Sequence, residues 1–564
     1  MLTGLAFLWL ASGCVGYGLG FGRVWKRYAG MADPFVSLGD AGLGGLLVLT
    51  GAGIVLHFFI PLSPGLALTL TSVGVIMLAA LGRPILYRCS TINWVFVLLC
   101  ALTFSLQAQV DALNPDAGIY YIQSILWNSA TALVPGLANI HGRLGFNSGA
   151  LILATVLRVP ILLWKAAFLL NALFAFFVML AFFERLGMAL RDSGVDHLST
   201  LYGLLMVGGF CANHFVFNGN LGSLGGDFGP FILACYIGFL LLLAAEENDD
   251  PGLIAWSVLL ASFAVLLKLS ALPLLFGSLF VLLLSREALR SWRRTTLATL
   301  CIVTGLLAVW AIRGLLLSGC AAYPAAASCV SQLPWTVPTE LAFHESQYVL
   351  DYARGSVQDP RSIKDWLSPL ISELWGNHIG RFLLLLCGGA LAIGIAGRFR
   401  SKRALGFRGS STLAPVWIGL GWIAFAVFKG PALRFYSGGA FLVAYTLLAL
   451  GLFHFRDVFS LLPLKRWIPR ALCLLLALQA GTLGFKYFSV PREDWPRFET
   501  PEVLRQSTDS GLSISVSKTE YCWDAALPCT PYFDRTLQRI PWLDRFYFQG
   551  KNTIAYRNGF TPRR

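Results

Sequence analysis

The feature that most constrains this chain is the regular return of long apolar blocks. Predominantly apolar runs of about 16 to 22 residues, nearly free of charge at their centres, alternate with short polar stretches from the first residues to about position 488. A run of that length, wound as a helix, matches the hydrocarbon thickness of a bilayer. Only 13% of the 564 residues are charged and 56% are hydrophobic, whereas a soluble chain carries about 25% charge. The runs therefore predict an all-α polytopic membrane protein with about 13–14 transmembrane helices. They lie near 2–20, 41–60, 66–82, 93–109, 162–184, 197–217, 229–246, 252–268, 271–286, 295–316, 381–397, 412–428, 436–455 and 470–488. The first run lacks a basic leader and is long enough to span, which predicts a retained helix rather than a cleaved signal. The stretch 147–160 is too short to span and is expected to be re-entrant or interfacial.

The net charge of +14 raises nucleic acid as a partner, but its distribution answers differently. Basic residues gather in GRVWKRY (22–28), SREALRSWRR (285–294), GRFRSKRALGFR (397–408) and LKRWIPR (464–470). Segregation into alternate loops is the orientation signal of membrane proteins, with anionic headgroups as the natural partner. No nucleic-acid role is predicted. With those loops cytoplasmic, the long segments 110–161 and 317–380, the shorter 218–228, 268–271 and 429–435, and the tail all fall on the other side. The acidic EENDDPG loop is the one mild exception, and Asp and Glu weigh little in orientation.

Residues 1–488 thus form a transmembrane domain and 489–564 a small C-terminal region of different character, richer in Pro, Asp and Arg and with the alternating stretch LSISVS. It is too small for a rich core of its own and is expected to pack on the outer face of the membrane domain. Eight of the twelve cysteines sit in or beside apolar runs. The other four form two close pairs, Cys320 with Cys329 and Cys522 with Cys529, on the side predicted to be oxidising, which suits disulfides. No CxxC spacing for zinc is present.

Ionisable groups at membrane depth are costly and mark pathways or sites. Here they collect at the predicted external helix ends: Asp111, Asp116, His141, Arg143, Asp227, Lys268, Arg313, Lys429 and Arg434. Each has a plainer role. Terminal Lys and Arg anchor helices at the interface, a lone histidine is commonly a hydrogen-bonded structural residue, and Arg143 can simply pair with Asp116. Taken together, a carboxylate suited to general-base work or divalent-ion binding faces cations suited to clamping a phosphate. Such a set at the outer lipid boundary suits a lipid-phosphate substrate. Between them, Ile119, Ile122, Ile125 and Leu126 recur at helical spacing opposite Gln123, Ser124 and Asn128. That predicts an amphipathic helix over 117–135 in the interface plane, with Trp127, Tyr120 and Tyr121 at headgroup level; the alternative is a re-entrant packing element.

NPDAGIYYIQSILW, VPGLANIHGRLGFNS, LKLSALPLL, the IRGLLLSGCAAYP…PWTVP run, GPALRFYSGG and CWDAALPCTPYF resemble the GT-C superfamily of integral-membrane glycosyltransferases, and more closely a bacterial branch of GT-C-like multi-pass proteins. The resemblance runs from about residue 93 to the end. It implies a sugar donor carried on a polyprenyl phosphate, a periplasmic or cell-envelope glycan acceptor, and a site facing the periplasm of the bacterial inner membrane. By position Asp116 would be the catalytic base of an inverting displacement, and Asp227 a second acidic residue nearby. Lys268, Arg313 and Arg434 would hold the phosphate, with Tyr120, Tyr121, His141 and Arg143 lining the substrate groove. Tyr120-Tyr121 stand where the branch often has Tyr-His, so a histidine role there would fall to His141. The carboxylates of the first external loop form no tight D-x-D or E-x-D pair, Asp111 and Asp116 being five apart, so no metal or other cofactor is predicted, with metal independence left open. Two other classes compete: a transporter or flippase of lipid-linked saccharides, which should carry charges along a midplane path, and an enzyme like an O-antigen polymerase or ligase, which should concentrate its cations in one loop.

Overall fold

The computed structural model describes residues 2–29, 37–110, 113–192, 197–212, 219–285, 293–354, 363–400, 412–456, 464–489, 495–496, 498–542 and 545–549. Asp111 lies outside them, as do 286–292 and 401–411 of the basic loops. Every expected apolar run is a helix: α1 (Leu2–Ala29), α2 (Leu38–His57), α3 (Pro64–Leu81) and α4 (Thr91–Val110) come first. Two short helices follow, α5 (Ile122–Ala130) and α6 (Gly149–Val156), before α7 (Leu170–Asp192), α8 (Leu198–Ala212), α9 (Phe228–Glu246), α10 (Pro251–Leu267), α11 (Leu272–Leu284) and α12 (Arg293–Ser318). Beyond them lie α13 (Thr339–Ala353) and α14 (Ile363–Gly376), then α15 (His378–Arg400), α16 (Ala414–Lys429), α17 (Leu433–Phe453) and α18 (Leu464–Ser489).

Ten of these helices are long and apolar enough to cross a membrane, and four more apolar helices (α8, α10, α11, α16) are shorter. The chain is a multi-pass membrane protein. At about 1.5 Å per residue, the 17 residues of α10 reach some 26 Å, short of a bilayer core. Such helices can be short because protein surrounds them: nearly every residue of α10 is buried.

Burial sorts the helices into layers. The span containing α7 is wholly buried and that of α9 is 89% buried, while α3 and α15 are 17% buried. A helix apolar on all sides belongs in the middle of such an assembly. The outer helices instead present Ile76, Leu385 and Phe485, each at least two-thirds exposed, a surface that only lipid would cover. Helix α1 packs between α2 and α3. A Cβ on Gly16 would lie 1.8 Å from the Gly74 carbonyl oxygen, so backbone meets backbone there, the close approach that small residues permit between membrane helices.

At one end of the bundle a buried ion pair ties four helices together. Asp40 Oδ2 accepts from Arg185 Nε at 2.9 Å and Ser37 Oγ at 2.8 Å, while Oδ1 accepts from the Tyr236 hydroxyl at 2.6 Å and the Trp256 indole at 3.0 Å. A buried charge is tolerable when paired and fully hydrogen-bonded in this way. Thr295 Oγ1 donates to the Ala29 carbonyl at the same end.

The opposite end carries the long segments. Leu133 N donates to His57 O, Leu62 N to Asn128 O and Gly136 N to Leu316 O, so 113–161 closes over the tops of α2, α3 and α12. The amphipathic stretch is shorter than its periodicity predicts. A π-turn (Ala117–Tyr121) leads into the nine-residue α5. Its polar face is covered rather than wetted: Gln123 Nε2 donates to the carbonyls of Trp523 and Ala525 at 3.0 and 2.9 Å. The 147–160 stretch supplies α6, buried at every residue.

The cover is the C-terminal tail, and it is β-structured. Strands β1 (Val503–Ser507) and β2 (Ser513–Ser517) pair antiparallel, β3 (Cys529–Thr530) adds in parallel, and β4 (Gln538–Trp542) forms a hairpin with β5 (Arg545–Gln549). The alternation of LSISVS becomes β2. The tail's apolar residues Ile514, Leu537 and Phe548 form one cluster with Trp127, Leu133, Leu137 and Leu317, so it shares its core with the membrane domain. Both close cysteine pairs are disulfides, Cys320–Cys329 and Cys522–Cys529.

Candidate functional site

Asp116 begins the π-turn, its amide donating to Asn114 Oδ1 at 2.9 Å. Arg143 reaches one carboxylate oxygen at 3.3 Å, and the Tyr121 hydroxyl donates to the other at 3.4 Å. The Asp116 side chain stays 25% exposed while Arg143 is 11% exposed, so the carboxylate faces open space with its support behind it. Arg143 in turn lies 3.6 Å from Glu345 on α13, a carboxylate only 1% exposed. It also stands over the rings of Tyr120 and Tyr348, at 5.8 and 5.5 Å. Burial alone would lower the pKa of Arg143, but the carboxylates of Glu345 and Asp116 outweigh it and hold the guanidinium above its ordinary value. Glu345 is pushed upward by burial, with Arg143 opposing.

A second pair faces the first. Lys268, the residue at which α10 ends, is ion-paired to Asp227, the residue before α9. Both remain partly exposed, at 30 and 26%. Burial lowers the Lys268 pKa and Asp227 opposes that shift. The loop bearing Asp227 is fixed from below by Asn171, whose amide donates to the carbonyls of Asn220, Ser223 and Gly225 at 2.9–3.2 Å. A side chain on Gly225 would come within 4 Å of both Asn114 and Tyr121, which brings this loop against the Asp116 turn.

Arg434, exposed at the start of α17, joins both pairs: its charge interacts with Asp227, Asp116 and Tyr121. Its guanidinium lies over Phe435 at 4.8 Å and Tyr352 at 5.3 Å, and Lys268 Nζ lies over the same Phe435 ring at 4.5 Å. Leu433 N donates to Glu373 on α14. Asp116 with Tyr121, Asp227, Lys268 and Arg434, from four separated stretches, therefore stand as one polar group at the loop-bearing end.

The remaining expected residues stand behind it. Tyr120 packs between Tyr121 and Phe146, with ring centroids 4.5 and 5.7 Å away. His141 is buried, its Nδ1 accepting from Arg143 N at 3.1 Å to cap a short 3-10 turn, with Tyr532 against the ring. Burial first and then the Arg143 charge lower its pKa to about 3, so it is neutral at physiological pH. Arg313 is also buried, 4% exposed, and bonds Asn147 and Asn128. Lys429 closes α16 as an end anchor. Among the described residues, no three of His, Cys, Asp and Glu are grouped as metal ligands.

Two supporting residues escaped the sequence reading. Glu345 sits on an ordinary helix of the long loop, TELAFHESQYVLDYA, and only its place against Arg143 singles it out. Asn171 looks like one amide in an apolar run; its isolation there was the available signal.

A family model described as a domain of unknown function (DUF8201) matches residues 1–441, most of the chain, and the protein belongs to that family. No curated protein and no solved structure matches it.

Proposed function

We propose that this DUF8201 member is an inverting glycosyltransferase of the GT-C kind, drawing its sugar from a polyprenyl-phosphate donor. The acceptor is a cell-envelope or periplasmic glycan, and the site faces the periplasm of a bacterial inner membrane. One observation carries the reading: a partly exposed carboxylate, Asp116, held by Arg143 and Tyr121, shares an open group with Lys268 and Arg434.

In the proposed reaction an acceptor hydroxyl oxygen attacks the anomeric carbon as the bond from that carbon to the phosphate oxygen breaks. Asp116 takes the hydroxyl proton, and polyprenyl phosphate leaves with the electron pair. A general base needs hydrogen-bond reach to its proton and a fixed orientation; Arg143 and Tyr121 supply the orientation. Lys268 has three N–H donors, so it can bond Asp227 and still meet a phosphate, while Arg434 offers a planar fork. Negative charge growing on the leaving group would be stabilised by both.

The test is Asp116→Asn in protein reconstituted with a polyprenyl-phosphate sugar. Transfer should fall by at least about 100-fold with an unchanged melting profile. Normal transfer by that variant overturns the assignment, and movement of the donor across sealed vesicles without a new glycosidic bond would favour a flippase.

A further inference from the structure

Arg313 is the one expected phosphate ligand that stands apart from the charged group, and its surroundings are unusual. It is 4% exposed on α12. Its two terminal nitrogens bond only neutral amide oxygens, Asn147 Oδ1 at 2.6 Å and Asn128 Oδ1 at 3.3 Å. Its Nε–H has no acceptor, and no carboxylate pairs with it among the described residues. A buried guanidinium without an opposing charge is strongly destabilising.

Beside it lies a small cavity of about 10 Å³, bounded by Arg313, Trp127, Asn128, Ser124 and Ser148 with leucines from α6 and α12. Trp127 is 5% exposed, and its indole N–H also lacks an acceptor among the described residues. Two residues with an orphaned donor each, one of them a cation, thus line the same void. Buried N–H groups are almost always bonded, so the void wants an acceptor. Its interior space is about that of one small species, which favours a monatomic ligand over phosphate, sulfate or a sugar. A water would bond the donors and leave the charge unmatched.

The geometry points to a monatomic anion, chloride, as the resident of this cavity, held by Arg313 and Trp127. This site is separate from the Lys268 and Arg434 group and does not depend on the transferase reading. It would brace the same segment from beneath, since Ser148 Oγ donates to Leu267 O, next to Lys268, and Phe146 packs on Tyr120.

The test uses the full-length protein in lipid nanodiscs, unfolded thermally in chloride, bromide or gluconate at one ionic strength. Chloride and bromide should raise the melting temperature saturably relative to gluconate, and Arg313→Gln should lose that response. Should Arg313→Gln not fold, wild-type protein crystallised in bromide decides by anomalous scattering, with a peak expected between Arg313 and Trp127. No halide response, a bromide peak only elsewhere, or an ordered water alone in the cavity would each overturn the proposal.

Discussion

His141 shows how a residue's chemistry follows from its neighbours rather than its type. The resemblance to GT-C-like proteins would pass a histidine role to it, because Tyr121 stands where that branch often has histidine. In the fold its Nδ1 accepts an amide of its own turn, and burial with Arg143 nearby lowers its pKa to about 3. The sign of the pH effect follows. Between about pH 6.5 and 3 the unfolded chain binds a proton there that the folded chain does not, so this contribution is full above 6.5 and is lost as pH falls through that window. The limiting slope is about 1.4 kcal/mol per pH unit. His141→Asn, which keeps an acceptor for the Arg143 amide, should flatten the decline in melting temperature from pH 6.5 to 4. Parallel curves for the two proteins would show that the ring does not titrate on unfolding.

At the scale of elements, the 117–130 stretch is where periodicity and structure part. The 3.6-residue pattern of isoleucines is real, and Ile122 and Ile125 are fully buried. The polar face was expected to meet headgroups, yet the tail lies on it: Cys522 N and Trp523 N both donate to the Gly118 carbonyl, two residues from Asp116. A Cβ on Gly118 would stand 2.7 Å from the Trp523 ring, so only glycine fits. Gly118→Val should therefore lift the tail from the π-turn, costing about 1–3 kcal/mol. Limited proteolysis would read this as faster cleavage within 500–542; unchanged protection would mean that the clasp is unimportant. The same contact makes the candidate site depend on both domains of the sequence reading. Amphipathicity reports that one face differs from the other, not what covers the second face.

For the whole molecule, helix ends alternate as the charge pattern requires: Lys26 and Arg27 close α1 at the end away from the long loops, while the tail packs on those loops. A membrane-impermeant maleimide applied to spheroplasts should label Ser510→Cys in the β1–β2 turn. Arg27→Cys should react only after permeabilisation. The reverse pattern would invert the orientation and remove the periplasmic reading of the site.

Sequence alone determined that this chain is a bundle of membrane helices, where those helices fall, and which charges gather at one end. Those properties are local: the length of an apolar run, the spacing of its residues and the charge of a short loop are each set by consecutive positions. Tertiary structure decided the rest. It made Glu345 the hidden partner of Arg143, gave Asp40 its four donors, set His141 to capping and left Arg313 beside a void. It also drew Asp116, Asp227, Lys268 and Arg434 into one group. Each of those outcomes depends on distance in space between residues far apart in the chain, and a Coulomb interaction or hydrogen bond changes its meaning over a few ångströms.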